Sequence, residues 1–265
     1  RLHGTSVMEL REEFKGKTVL VTGASMGLGY TCAEYFERCG SQLVITGRTA
    51  KKLENLKSSF RSPGDHLAFS GDLLIEREIH YLVEKIKNTY GQVDIIVHSQ
   101  GGGYGFREPL LRWDQFNTLH KLNVASGAEI NRLLIPDMIE QKSGNVIHVC
   151  SVASQEAVGS VGYNTVKSAL AAYVRGLGRD LASSGVIITG ILPGAFYAPN
   201  NAWRRLEANE PEVVQDFIQK NLPRKKIAEA EEIVPLILFL SSDSASMMSG
   251  SCVPIDAGEG KAYAI

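Results

Sequence analysis

Short apolar runs alternate with longer amphipathic stretches along almost the whole chain, and few folds are compatible with that alternation. Runs such as VDIIV (93–97) and VIITGIL (186–192) are largely apolar instead of alternating with polar residues. Such runs are typical of parallel strands whose two faces are both covered by helices. The sequence therefore predicts an α/β fold, with a single doubly wound, parallel, seven-stranded sheet of the Rossmann-like type.

The expected elements divide the chain evenly. Strands are predicted at 18–22, 43–46, 66–69, 93–98, 145–150, 186–192 and 252–255, and helices at 27–38, 51–60, 75–90, 113–141, 163–183 and 230–240. Residues 1–7 contain no apolar signal core, and we expect the natural chain to begin at Met8. No linker or repeat divides the rest, so one dinucleotide-binding oxidoreductase domain is expected over residues 8–265, with an irregular lid for the substrate at 195–222.

Charge and cysteine content exclude several classes of function. The 28 basic and 29 acidic side chains give a net charge of −1, which argues against nucleic-acid or membrane-surface binding through a basic field. The longest aliphatic stretch, near 233–240, is interrupted by Pro235 and is far shorter than the ~20 residues of a membrane-spanning helix. The four cysteines lack CxxC spacing, which favours reduced thiols in a cytoplasmic protein without a metal site.

A glycine-rich loop, TGASMGLG (22–29), stands at the first strand-to-helix junction. Glycines there allow a tight turn and a close approach of the backbone to a pyrophosphate, which the N-terminus of the following helix attracts. The spacing is wider than in the standard dinucleotide fingerprint, and a glycine-rich turn without a ligand is the alternative. The candidate cofactor-binding residues are Gly23, Ser25, Met26, Gly27, Leu28 and Gly29.

The end of the second strand distinguishes NAD(H) from NADP(H). An acidic residue at that position binds the free 2′-hydroxyl of NAD(H) and repels the 2′-phosphate of NADP(H). This chain has Arg48 instead, and its guanidinium can pair with a phosphate. The sequence therefore favours NADP(H) over NAD(H), with a solvated residue at a helix start as the alternative for Arg48.

Three residues suggest acid–base chemistry. Tyr163 and Lys167 are four residues apart, so a helix places them on one face, and Ser151 follows the fifth predicted strand. A phenol ionises near pH 10 in water, and a neighbouring ammonium favours its phenolate. Ser154 is a second candidate for the catalytic hydroxyl.

Together these motifs resemble the short-chain dehydrogenase/reductase family from about residue 14 to residue 260. TGASMGLG resembles its cofactor loop, and YNTVK resembles its YxxxK motif. Further agreement comes from Asp72 and Leu73 after the third strand, Asn123 in KLNV, and Pro193 and Gly194 after the sixth strand. The sequence departs from the family at HSQG (98–101), where NNAG is common and where Ser99 and Gly101 take the cofactor-binding positions, and at Ala198, where a threonine is usual. His98 is expected to be a buried histidine bonded to backbone, with a proton carrier as the alternative.

The resemblance implies reversible hydride transfer between NADP(H) and a carbonyl or secondary alcohol, without a metal. It implies that Tyr163 is the proton donor, that Ser151 binds the substrate oxygen, that Lys167 binds the nicotinamide ribose and that Asn123 holds a water. A small polar, sugar-like substrate is expected, because the predicted lid contains Trp203 and Arg204 and few aliphatic residues. The alternatives are a 3-ketoacyl-carrier-protein reductase and a non-catalytic cofactor-binding regulator. A homo-oligomer, either a dimer or a tetramer, is also implied.

Overall fold

One parallel sheet organises the molecule. The computed structural model describes residues 12–262, so the expected start at Met8 and the last three residues of the expected domain lie outside the described residues. The strands are β1 (Thr18–Thr22), β2 (Gln42–Gly47), β3 (Leu67–Ser70), β4 (Ile95–His98), β5 (Gly144–Val149), β6 (Val186–Pro193), β7 (Phe196–Tyr197), β8 (Ala228–Glu229) and β9 (Cys252–Ile255). Seven of them form a sheet in the order β3-β2-β1-β4-β5-β6-β9, while β7 and β8 pair separately.

Helices cover both faces of this sheet. They are α1 (Gly27–Arg38), α2 (Ala50–Ser58), α3 (Glu76–Tyr90), α4 (Trp113–His120), α5 (Ser126–Gln141), α6 (Val161–Asp180), α7 (Ala202–Asn209), α8 (Pro211–Asn221) and α9 (Val234–Leu240). Helices α1, α2 and α9 pack on one face. Helices α3, α5 and α6 pack on the other, so each strand buries alternate residues in two separate cores. The predicted doubly wound α/β fold is confirmed.

The order of the strands creates the crevice that positions the site. Strand β1 pairs in parallel with β2 on one side and with β4 on the other. Successive strands are therefore added towards one edge of the sheet up to β3 and towards the other edge from β4 onwards, so the strand order reverses between β1 and β4. Ligands of doubly wound folds bind at the carboxyl ends of the strands beside this reversal. The glycine loop follows β1 at this edge, and HSQG follows β4 beside it.

Two segments differ from the sequence prediction. The helix predicted at 113–141 is interrupted by a π-helical turn at Lys121–Ala125, between α4 and α5. The segment 195–222, predicted to be irregular, contains α7 and α8. Its prolines do not break these helices: Pro211 is the first residue of α8, a position that requires no amide hydrogen. Val214, Ile218 and Leu222 recur every four residues and form a small core of the segment itself.

Within residues 12–262, none of the helices combines the length and the apolar character needed to cross a lipid bilayer.

Candidate active site

The glycine loop forms a cradle, and two of its positions can be occupied only by glycine. Gly23 has a φ of +67°, in the left-handed region. A Cβ on Gly23 would lie 3.0 Å from the backbone of Gln100, and a Cβ on Gly29 would lie 2.6 Å from the carbonyl oxygen of Gly23. The loop after β1 is therefore packed directly against the loop after β4, and its backbone is open to a ligand on the remaining side.

The N-terminus of α1 adds polar groups to this cradle. No side chain of residues 12–262 caps α1, so the N–H groups of its first turn are available to an anion. One of them is used by the protein, because the N–H of Gly27 donates to the carbonyl oxygen of Pro199 at 2.7 Å. Ser25 lies in the loop before α1 and Leu28 lies in the first turn of α1, while Sδ of Met26 lies 4.0 Å from the guanidinium of Arg205. The segment 195–222 thus rests on the glycine loop.

Arg48 is exposed at the end of β2, beside the expected adenosine end of the crevice. Its guanidinium carbon lies 6.0 Å from the centre of the Tyr104 ring. Among residues 12–262, no carboxylate forms an ion pair with Arg48. An unpaired guanidinium at this position can bind the 2′-phosphate of NADP(H). It cannot replace the carboxylate that accepts a hydrogen bond from the 2′-hydroxyl of NAD(H).

The remaining cofactor-binding candidates also lie along the carboxyl edge of the sheet. Asp72 follows β3 and its carboxylate accepts from the N–H of Leu74 at 3.1 Å. The neighbouring Leu73 is buried. The other members of this set are Ser99 and Gly101 after β4, Pro193 at the end of β6, and Gly194 directly after it.

Tyr163 and Lys167 share one face of α6, as their spacing predicts. The Lys167 ammonium lies 5.7 Å from the centre of the Tyr163 ring. Lys167 is buried and donates to the carbonyl oxygen of Val149 at 2.9 Å, which holds it at the end of β5. Tyr163 remains partly exposed. The ammonium is therefore fixed by the fold, while the tyrosine faces a space that a substrate can reach.

Their hydrogen bonds distinguish Ser151 from Ser154 as candidates for the catalytic hydroxyl. The oxygen of Ser151 accepts from the N–H of Ala153 at 3.1 Å, which leaves its hydroxyl proton free to donate. Ser154 instead donates its proton to the carbonyl oxygen of Lys167 at 2.8 Å. Only Ser151 can therefore offer a hydrogen bond to a substrate oxygen without breaking an existing one.

Asn123 is buried in the π-helical turn, and its carboxamide makes three hydrogen bonds. Its oxygen accepts from the N–H of Gly102, and its nitrogen donates to the carbonyl oxygens of Gly102 and Leu119, all at 2.9–3.0 Å. A Cβ on Gly101 would lie 2.9 Å from the Asn123 oxygen and 3.0 Å from the Lys167 nitrogen. The side chain of Asn123 therefore fastens the loop after β4.

His98 does not bond to backbone as the sequence analysis expected. Its Nε2 lies 2.8 Å from the side-chain oxygen of Asn131, and its ring stacks on that of His148 with the ring centres 4.4 Å apart. Burial lowers the pKa of His98 to about 4. Burial also lowers the pKa of His148, and the nearby His98 and Lys167 lower it further. Both rings are therefore neutral at pH 7, which argues against the proton-carrier alternative.

This neutral pair predicts a pH-dependent stability. The unfolded chain protonates both histidines below pH 6.5, whereas the folded chain resists protonation, so their contribution is present above pH 6.5 and is lost as the pH falls. We expect the free energy of unfolding to fall as the pH decreases from 6 to 5, by at most about 1.4 kcal/mol per pH unit for each histidine. Urea denaturation at several pH values measures this, and replacing His148 by phenylalanine should flatten the slope.

Trp203 and Arg204 are engaged within the segment 195–222 and its surroundings. The Trp203 ring packs 4.5 Å from that of Phe217. Arg204 pairs with Glu229 at 2.9 Å and with Glu207 at 3.4 Å, and it lies over the Tyr197 ring at 3.9 Å. Both side chains therefore already have partners within the protein, and contact between them and a substrate stays a prediction.

Comparison with known proteins agrees with this geometry. The family model described as enoyl-(acyl carrier protein) reductase matches residues 23–259. The chain belongs to the short-chain dehydrogenase/reductase family. The predicted family and the predicted class, an NAD(P)-dependent oxidoreductase acting on CH–OH groups, are thereby confirmed.

Relatives within the family have different named activities. Gluconate 5-dehydrogenase of Gluconobacter oxydans is 29% identical over 92% of this chain and 94% of its own length. A 3-oxoacyl-[acyl-carrier-protein] reductase of Aquifex aeolicus is 26% identical over 95% of this chain and 99% of its own. The crystal structure of L-sorbose reductase from Gluconobacter frateurii, complexed with NADPH and L-sorbose, superposes with a TM-score of 0.86 over 94% of this chain and 98% of that one, at 24% identity.

Sequence reasoning missed two residues around this short-chain dehydrogenase/reductase site, Asn131 and His148, which complete the environment of His98. It also did not predict that Tyr104 approaches Arg48. The register of β4 against β5, which places His98 opposite His148, is the signal that connects the two histidines. Nothing in the sequence pattern indicates that the loop after β4 reaches across the crevice to Arg48.

Proposed function

We propose that this protein is an NADP(H)-dependent oxidoreductase that interconverts a carbonyl and a secondary alcohol on a small polar substrate. The observation that carries the proposal is the buried ammonium of Lys167, which is held at the end of β5 and lies 5.7 Å from the centre of the partly exposed Tyr163 ring. Ser151 follows the same strand, and its oxygen accepts from the N–H of Ala153, which leaves its proton to donate. A non-catalytic regulator has no chemical need for this arrangement. NADP(H) supplies or accepts the hydride when bound.

The protein's own residues transfer the proton and bind the carbonyl oxygen of the substrate. In the reductive direction Tyr163 donates a proton to the carbonyl oxygen, and Ser151 donates a hydrogen bond to the same oxygen. The ammonium of Lys167 lies 5.7 Å from the centre of the Tyr163 ring, is anchored on Val149, and is placed to bind the nicotinamide ribose. Asn123 holds the loop that forms the wall of the crevice.

Arg48 supports NADP(H) over NAD(H). The cradle at Gly23 and Gly29 and the uncapped N-terminus of α1 fit the pyrophosphate shared by both cofactors. Only the guanidinium of Arg48 discriminates between them, because it has no carboxylate partner in residues 12–262 and can bind a 2′-phosphate.

The segment 195–222, which we propose acts as the lid of the single domain, supports a polar substrate. Its large apolar side chains are turned into its own core, and among them only Val213 is exposed. An acyl chain or steroid therefore meets no broad apolar surface from this segment. A relative acting on gluconate is consistent with the same substrate class.

A 3-ketoacyl-carrier-protein reductase is the second candidate. A relative with that name supports it, as do the exposed cations Arg224, Lys225 and Lys226 just after the lid, which an acidic carrier protein would contact. A panel of substrates separates the candidates: we expect turnover of D-gluconate with NADP+ or of L-sorbose with NADPH to exceed that of acetoacetyl thioesters. Faster turnover of acetoacetyl-carrier protein than of every polar ketone and alcohol tested would overturn the first candidate.

We further propose a cytoplasmic homo-oligomer, either a dimer or a tetramer, that acts on a small molecule. Leu110, Trp113 and Val161 lie at or near the starts of α4 and α6 and are exposed, which leaves apolar surface for a second copy. Cys32, Cys150 and Cys252 are thiols, as expected in a reducing compartment. Light scattering that gives the 28.9 kDa mass of one chain at micromolar concentration would contradict the oligomer.

A further inference from the structure

The loop after β4 contains a tight turn, residues 103–106, that places Tyr104 at its tip. The N–H of Phe106 donates to the carbonyl oxygen of Gly103 at 3.0 Å, and the φ angles of Tyr104 and Gly105 are +53° and +79°. Two successive positive φ angles with this hydrogen bond define a type I′ turn, which favours asparagine, aspartate or glycine at its central positions. Tyr104 therefore holds a left-handed conformation that a bulky side chain rarely adopts.

Burial of the tyrosine ring does not explain this conformation. The base of the loop is fixed, because Asn123 bonds to both the N–H and the carbonyl oxygen of Gly102 at 2.9 Å. The loop then passes the catalytic tyrosine, since a Cβ added to Gly103 would lie 3.9 Å from the ring of Tyr163. At the tip, however, the side chain of Tyr104 is 45% exposed. Backbone strain at an exposed aromatic residue beside a ligand crevice indicates a functional constraint.

The ring of Tyr104 reaches Arg48 across the glycine loop. In the sheet β1 lies between β2, which Arg48 follows, and β4, which the loop of Tyr104 follows. The glycine loop fills the interval between them: a Cβ on Gly23 would lie 3.0 Å from the backbone after β4, and a Cβ on Gly47 would lie 2.9 Å from the hydroxyl oxygen of Ser25. The contact between the ring and the guanidinium therefore spans the carboxyl end of β1.

The guanidinium of Arg48 can serve the ring and a phosphate at the same time. Arginine stacks its planar face on an aromatic ring and donates hydrogen bonds from its edge, so the two partners do not compete. Among residues 12–262 no carboxylate occupies that edge. The distance of 6.0 Å from the guanidinium carbon to the ring centre is at the outer limit of cation–π attraction, so the contact can open and re-form.

We propose that Tyr104 closes the crevice over bound NADP(H): its ring rests on Arg48, this bridge retains the cofactor, and opening of the bridge sets the rate at which the cofactor leaves. This assignment rests on the proposed function. It gives Tyr104 a positioning role at the cofactor, exerted through Arg48. It also gives the left-handed conformation a use, because the turn presents the ring to Arg48.

Tyr104→Asn tests the bridge, because it removes the ring and relieves the turn at the same time. Asparagine adopts the left-handed conformation at lower cost than tyrosine. Mixing the enzyme–NADPH complex with excess NADP+ in a stopped-flow fluorimeter measures the dissociation rate of NADPH. We expect that rate to rise about fivefold, as loss of one cation–π contact implies. The midpoint of urea unfolding should stay the same or increase, so faster release together with a lower midpoint would indicate a damaged loop and overturn the proposal.

Lys142 provides the matched control for the relief of strain. It follows α5 with a φ of +55°, is exposed, and precedes β5, so it lies at the edge of the sheet opposite the crevice. Lys142→Asn relieves the same backbone conformation and should leave NADPH dissociation unchanged; faster release there would assign the effect to strain in general and overturn the bridge. Tyr104→Phe keeps the ring and should release NADPH as the wild type does.

Arg48→Ala identifies the partner of the ring. If Tyr104 acts through Arg48, Tyr104→Asn should accelerate release much less in an Arg48→Ala background than in the wild type. Equal acceleration in both backgrounds would overturn the bridge, and so would an unchanged dissociation rate in Tyr104→Asn alone. Either result leaves the proposed function standing, because NADPH is still bound; a wild-type protein that does not bind NADPH would refute the proposed function itself.

Discussion

Replacing Tyr163 by phenylalanine is expected to lower kcat by about a thousandfold while the Kd of NADPH changes less than fivefold. The substitution removes the hydroxyl that donates the proton, and general acid catalysis of this kind contributes about 10²–10⁴ in rate. The ring remains beside Lys167, so the structure around the ammonium should persist. Steady-state kinetics and fluorescence titration with NADPH separate the two effects, because an interaction made in the transition state changes kcat more than ligand binding.

Lys167 and Thr165 supply the comparisons for this result. Lys167→Ala should weaken both turnover and NADPH binding, since the buried ammonium acts on the tyrosine and on the ribose. Thr165 lies on the same helix, is exposed, and its hydroxyl donates to the carbonyl oxygen of Val161, so Thr165→Ala should retain wild-type activity. Substantial turnover by Tyr163→Phe would remove Tyr163 from the catalytic role.

The strands of the sheet were predictable because runs of consecutive apolar residues indicate strands that are buried on both faces. A run such as 186–192 is apolar at consecutive positions, and helices on both faces of the sheet are the simplest way to bury it. The glycine loop was predictable for a related reason: a Cβ at Gly29 would clash with the backbone of Gly23, only six residues away. Both features depend on residues that are close in sequence.

Pairings between distant residues were not predictable in the same way. Arg204 stands three residues before Glu207 but is also bound by Glu229, which the sequence places 25 positions later. His98 meets Asn131 and His148 only because β4 and β5 pair in parallel with α5 packed on them. Residue type indicated that these side chains are polar, while the packing of the strands and helices decided whether they face a substrate, solvent or one another.

The register also explains why a departure from the family motif is tolerated at HSQG. An imidazole at residue 98 is larger than the asparagine common there, and it has to be buried with its nitrogens satisfied. The ring of His98 stacks on the ring of His148 on the adjoining strand, and Gly127 on α5 leaves room for both rings because it has no side chain. The substitution is thus accommodated by residues 29 and 50 positions further along the chain.

Replacing Arg48 by aspartate is expected to change the ratio of kcat/KM for NADPH to that for NADH at least a hundredfold in favour of NADH. Hydrogen bonds to a charged group contribute about 1.5–3 kcal/mol, and a carboxylate adds repulsion of the 2′-phosphate. Each 1.4 kcal/mol corresponds to a factor of ten, so the two effects together reach or exceed that ratio. The guanidinium has no carboxylate partner to lose in residues 12–262, so the fold should be unaffected.

Arg48→Ala separates attraction from repulsion in this experiment. It removes the cation without adding a carboxylate, so its cofactor ratio should fall between those of the wild type and Arg48→Asp. The Tyr104 ring, 6.0 Å from the guanidinium, loses its cationic neighbour in both variants, so a contribution from that contact cancels between them. The difference between the variants then measures what the carboxylate does to the 2′-phosphate and the 2′-hydroxyl. A wild-type enzyme that already prefers NADH would show that Arg48 does not select NADPH by binding its 2′-phosphate.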